Sequence, residues 1–140
     1  MTVYAVIDTN VIVSSLLTSN PDSPTVGVIK AIRDGRLIPL YSDYLISEYR
    51  DVLSRSKFAI PDVISRGIMS LFTRYGIQVE TTDINIEMPD EDDVPIFLIT
   101  METRNWNSYP VVGNIKHYPP MDFIVTPKKM MSILEEKQND

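Results

Sequence analysis

The feature that most constrains this chain is its alternation of short apolar, β-branched runs with segments of helical spacing. Val3-Tyr4-Ala5-Val6-Ile7 is one such run, and it stops at Asp8. An apolar run without polar alternation suits a strand covered on both faces, the usual case in parallel sheets. Thr9 or Asn10 can cap the segment that follows, which reads as a helix despite its β-branched content. Ser23-Pro24 opens a second helix over 24–34, and Gly35 closes it. Leu37-Ile38-Pro39-Leu40 reads as a short strand, and its proline places it near a strand end or sheet margin.

The alternation continues to the end of the chain. Ser42 caps a helix running to about Ser54, with Leu45, Tyr49, Val52 and Leu53 on one stripe. A further helix spans Pro61 to Gly76, and 77–80 is a weak strand. Met88-Pro89-Asp90-Glu91-Asp92-Asp93 opens the next helix, its acids suited to the positive end of the helix dipole. Residues 109–112 and 123–125 read as the last strands, and Thr126-Pro127 caps a final helix whose tail, 135–140, is expected to fray. Strands alternating with helices predict a three-layer α/β/α sandwich on a mostly parallel sheet. Without repeats or long linkers, residues 1–140 read as one domain.

Composition removes several classes. A hydrophobic fraction of 44% and a charged fraction of 23% exclude a disordered or low-complexity chain. Zero Cys excludes a disulfide scaffold, a thiolate zinc site and a Cys nucleophile, and a single His excludes a His-rich metal cage. The lack of disulfides is compatible with a cytoplasmic location. The apolar N-terminus lacks a basic flank and is interrupted by Asp8-Thr9-Asn10, unlike a signal peptide. No apolar run approaches the roughly 18 residues of a membrane span. The net charge of −6 argues at first against nucleic acid, but seven acids and no base fall between Glu80 and Asp93. The rest of the chain carries +1, and residues 30–74 carry +3. If those helices flank the acidic stretch, their bases are placed to grip a phosphate backbone.

Ligands of open α/β sheets bind at the carboxyl ends of the strands. Asp8 ends the first strand there, followed by Thr9 and Asn10. Gly113-Asn114 ends another strand in a glycine turn that presents an amide at the same rim. The acids at 90–93 follow the weak third strand. Glu48 shares the apolar stripe of its helix, so its carboxylate needs a partner. Each has a plainer reading: Asp8 as a helix cap, Glu48 paired with Arg50 or Arg55, Asn114 as a turn residue. Carboxylates converging on one rim repel unless a cation lies between them. Oxygen ligands without Cys or His suit Mg²⁺ or Mn²⁺, the ions of phosphodiester cleavage by a metal-activated water.

Five segments carry a family resemblance: VIDTNV at 6–11, ISEYRDVL at 46–53, PDEDDVPIF at 89–97, VVGNIKHYP at 111–119 and VTPKKMMSIL at 125–134. In order and spacing they resemble the PIN-domain family, most closely its PilT N-terminal type, which includes toxin components of toxin–antitoxin pairs. The resemblance implies a Mg²⁺- or Mn²⁺-dependent ribonuclease on a sheet of about five parallel strands. It also implies a homodimer or higher oligomer and a small antitoxin as partner. By position, Asp8, Glu48 and Asp93 are the implied metal-binding acids, with Asn10 beside them. Thr9 and Asp90 support them, and Asn114 binds the metal weakly or holds a water. Lys116 and His117 lie where they can contact a phosphate. The chain departs from the family in carrying Asn114 where an Asp is common, Val112 where a Thr is usual, and the bulky segment 101–110. These departures motivate a second reading, a catalytically weakened PIN fold that binds RNA or protein. A third, a phosphatase with Asp8 as nucleophile, wants a second acid where Asn10 stands.

Overall fold

In the computed structural model the described residues are 2–82 and 93–138. The acidic stretch 83–92, with Asp90 and the expected helix opening, lies outside them. Strand β1 (Val3–Ile7) forms from the first apolar run and is buried except for half-buried Tyr4. It is followed by α1 (Thr9–Leu17), α2 (Pro24–Arg33), β2 (Leu37–Tyr41), α3 (Asp43–Leu53), α4 (Asp62–Tyr75), β3 (Ile77–Gln78), α5 (Val94–Glu102), β4 (Tyr109–Val111) and α6 (Pro127–Gln138). All strand pairs are parallel, in the order β3-β2-β1-β4, so the most apolar run lies inside the sheet. Helices α2 and α4 pack on β2, and α5 packs on β1 and β4. The protein is an α/β sandwich with a parallel sheet, as the alternation predicts.

Four local expectations are corrected. The sheet has four strands among the described residues, not five. Residues 123–125 contribute one bridge, Val125 to Val111, because the backbone turns at Met121–Ile124 and Pro127 starts α6 directly afterwards. The cap of α1 is Asp8, whose side chain accepts from the Asn10 amide at 3.4 Å, rather than Thr9 or Asn10. Residues 135–138, expected to fray, are helical, since α6 runs through Gln138.

The fourth correction concerns Pro39, which sits mid-strand and inside the sheet. It pairs with Ala5 of β1. A proline cannot donate, so that pairing runs through its neighbours and the proline nitrogen faces the β3 side. The ladder to β3 begins only at Leu40, so no strand hydrogen bond is lost. Gly76 enters β3 at the same place. A Cβ there would strike the carbonyl oxygens of Phe72 and Pro39, although its φ of −98° is open to any residue. Only the close approach demands glycine.

Bulky substitution at 76 therefore overpacks backbone against backbone. Gly76→Ala is expected to lower stability by about 1–3 kcal/mol, read as a lower midpoint in urea unfolding. An unchanged midpoint would show that the β2–β3 junction can spread.

Candidate active site

Asp8 stands where β1 ends, between two strands and a helix. Its amide donates to the Val111 carbonyl at 2.9 Å, and its own carbonyl accepts from Val11 at 3.0 Å. The side chain is fixed by this backbone and is only 7% exposed. Burial raises its pKa most. The Asn10, Thr9 and Gly113 amides oppose that rise, and the charge of nearby Asp93 adds to it, leaving the pKa at about 6. Asp93 is also 7% exposed and directly precedes α5, where Pro95 sits in the first turn.

Glu48 arrives from α3. The helix is anchored at its start by Ser42, whose hydroxyl accepts from Leu45 at 3.2 Å. One turn after Leu45, fully buried Tyr49 donates its hydroxyl to the Ile7 carbonyl, the last of β1, and meets Phe72 edge-on at 5.4 Å. That contact brings Glu48 beside the residue after Asp8. Thr9 Oγ1 donates to Glu48 Oε2 at 3.1 Å. Burial, then the Asp8 and Glu48 charges, hold the Tyr49 proton on well beyond the usual phenol range.

These residues line one cleft of about 430 Å³, which holds Asp8, Thr9, Asn10, Glu48 and Asp93 together. The sequence reading placed these five at one rim, and the structure brings them there. Asn114, Lys116 and His117 are exposed and do not line this cleft. Asn114 caps the short turn Ile115–His117, accepting from the Lys116 amide at 3.1 Å, with its amide nitrogen 3.3 Å from the His117 ring. The expected belt of bases also narrows. Arg55 and Lys57 line the cleft, whereas Arg50 and Arg66 line a separate groove beside α4. Arg33 pairs with Asp34, and Arg74 lies over Tyr75.

Sequence reasoning missed two groups. One is the remainder of the α3 face: Tyr44, Ser47, Asp51 and Val52 repeat helically around Glu48 and line the cleft with it. That signal was available, because residues three and four apart share a helix face. The other is Tyr118, only 6% exposed, whose buried hydroxyl lies near the Asp93 carboxylate. Burial and the charges of Asp8, Asp93 and Glu48 push its pKa far up. No spacing announces it, since it depends on the loop after β4 folding back.

The unusual segment 101–110 is a clasp rather than a cleft wall. Arg104 stacks 3.7 Å from the Phe123 ring centroid and donates to the Thr100 carbonyl at 3.2 Å and to the Ser108 carbonyl. Thr103 and Ser108 hydroxyls meet at 2.7 Å, and Trp106 lies on Tyr4 at 5.3 Å. These contacts sit where β4 begins, the opposite end of the sheet from Asp8.

A cation would find only hard oxygen donors here. The carboxylates of Asp8, Glu48 and Asp93 share the cleft, and Asp93 raises the proton affinity of Asp8, so the donor set fits Mg²⁺ or Mn²⁺. Among the described residues, however, no group of three is closed on a single ion position.

A parallel α/β domain with buried acids at the strand ends is thereby defined. The PIN domain family model matches residues 4–104, and the chain belongs to the PIN domain family, a nuclease class in general. Asp8, Glu48 and Asp93 fall inside the match; Asn114, Lys116, His117 and Tyr118 fall beyond it. No curated protein and no solved structure matches the chain. Among the described residues no helix is long and apolar enough to cross a membrane.

The raised pKa of Asp8 has a consequence for stability. Between its ordinary value of 3.8 and about 6 the folded chain holds a proton that the unfolded chain releases, so this group weakens the fold as pH rises through that window. Above it the penalty is on the order of 3 kcal/mol. Asp8→Asn keeps a capping side chain and removes the charge. In EDTA its thermal midpoint is expected to exceed that of the parent by several degrees at pH 8 and to match it near pH 4. A lower midpoint at pH 8 would contradict the assignment.

Proposed function

We propose that this PIN domain is a metal-dependent endoribonuclease that cuts RNA phosphodiester bonds with water. The observation that carries this reading is the pairing of two buried acids, Asp8 and Asp93, with Glu48 in the same cleft at the strand ends. Mg²⁺ or Mn²⁺, when bound, would supply an activated water and offset charge on the phosphate. Asp8 and Asp93 are the proposed holders of that ion, joined by Glu48, which Thr9 keeps oriented toward the cleft. Ionisation of Asp8 is opposed by burial and by Asp93, so a cation between the two acids relieves both. Tyr118, buried beside Asp93, is proposed to steady its carboxylate. Asn10 stands at the cleft, and Asn114 is proposed to hold a water at its edge. Lys116 and His117, exposed on the same loop, are proposed to meet RNA that extends outward. Asp90 is proposed to support Asp93 from the adjacent acidic stretch. A toxin role restrained by a small antitoxin, a homodimer or higher oligomer and a cytoplasmic location complete the proposal, all resting on the family resemblance.

A second reading, an RNA- or protein-binding module with weakened catalysis, is favoured by two observations. The three acids do not close on one ion position among the described residues, and Asn114 is engaged locally. Incubating the purified chain and single-stranded RNA with Mn²⁺, and separately with EDTA, decides between them. Cleavage is expected with Mn²⁺ only. Asp8→Asn, Glu48→Gln and Asp93→Asn should each reduce it by more than the roughly 10–100-fold seen on loss of an outer-shell partner. Binding without cleavage in Mn²⁺ would select the module.

A further inference from the structure

The cleft draws its lining from two parts of the fold. Asp8 and Asp93 come from the end of β1 and the start of α5, and the α3 wall, one face of α3 and the turn after it, presents Tyr44, Arg55 and Lys57 together with Glu48 and Asp51. Residues 44, 47, 48, 51, 52 and 55 all line the cleft, so the face is continuous and Glu48 lies inside it. From Tyr44 to the end of α3 at Leu53 the helix runs roughly 13 Å.

Three features mark this wall as more than solvated surface. Tyr44 is 71% exposed in the first turn of α3, a large ring held out of the core beside the cleft. At the other end, Ser56–Phe58 form a single 3₁₀ turn ended by Ala59, at a left-handed φ of 51° that a non-glycine residue rarely adopts. That turn places Lys57 over the Phe58 ring at 5.0 Å, and both residues line the cleft. Among the described residues Arg55 is held by Asp51, at 3.3 Å with both side chains at least half exposed, a pair of little strength that a phosphate can displace. Aromatic surface combined with phosphate-binding cations is the usual means of holding a single strand.

Building on the nuclease reading above, we propose that this wall is the substrate cradle. A single strand lies along α3, one base stacks on Tyr44, and Arg55 and Lys57 take phosphates on the far side of Glu48. The scissile phosphate is thereby set against the acids. The cradle selects for unpaired RNA, because a base held in a duplex cannot present its face to Tyr44.

Binding is measured by fluorescence anisotropy with a short labelled oligouridylate, all in the Asp8→Asn background so that the RNA stays intact. Tyr44→Ala is expected to weaken binding roughly tenfold at every salt concentration, and Tyr44→Phe to restore it. Arg55→Ala and Lys57→Ala should weaken binding most at low salt, each flattening the slope of log affinity against log salt by about 0.7. Lys128→Ala, on α6, serves as the control and should bind like the parent. A duplex of equal length should bind more weakly than the single strand. Tyr44→Ala, Arg55→Ala or Lys57→Ala within twofold of the parent, a Phe as weak as the Ala at position 44, or a duplex bound as well as the single strand would each overturn the cradle. Cleavage by the Asp8 parent is scored separately. Loss of cleavage with intact cradle binding sinks the nuclease reading alone, and cleavage with unaffected binding by the variants sinks the cradle alone.

Discussion

The hydroxyl of Tyr49 donating to the carbonyl of Ile7 is the contact on which the rest of the site depends. It joins the middle of α3 to the last residue of the central apolar strand, in a place closed to water. A polar contact buried this deeply must be satisfied to be tolerated, so it fixes one position of the helix against the sheet. Glu48 precedes that anchor and Asp8 follows Ile7. Two residues far apart in sequence therefore reach one cleft because their immediate neighbours are bonded. The same anchor orients the α3 face that carries Tyr44 and Arg55.

How much of this was legible depended on whether the signal was local. Asp8 was readable because an uninterrupted apolar run ends at it, and a strand end in a parallel sheet is where ligands bind. Glu48 was readable as a charge on an apolar stripe. Asp93 stands among several neighbouring acids, and only the family resemblance singled it out. Tyr118 was not readable, because its place beside Asp93 is set by the return path of the loop after β4. Segment 101–110 looked like a departure with functional meaning, yet it is a structural clasp. Its Arg104 and Trp106 needed partners, Phe123 and Tyr4, that spacing could not supply. The fifth strand was overread because three β-formers do not make a strand when a turn and a helix start compress them.

Asp8 serves two ends. It caps α1, which stabilises the helix, and it remains a buried carboxylate, which opposes the fold at neutral pH. A residue chosen for stability alone would be the neutral amide, which caps as well. The acid is thus a local conflict between architecture and charge, of the kind that marks functional positions in otherwise consistent folds. The acidity of the chain has a similar logic: what matters at the site is which acids face one another, not the net count.

Pro39 also bears on how the molecule behaves among its own copies. Among the described residues the outermost strand on one margin of the sheet has two residues, and it pairs with β2 only at Leu40 and Tyr41. An extended backbone that keeps donors free at a sheet margin is a template on which another chain can polymerise. Pro39 has no hydrogen to offer just ahead of that short ladder, and Gly76 closes on its carbonyl. A residue that first looks misplaced inside a strand thus removes a donor that a foreign strand would need.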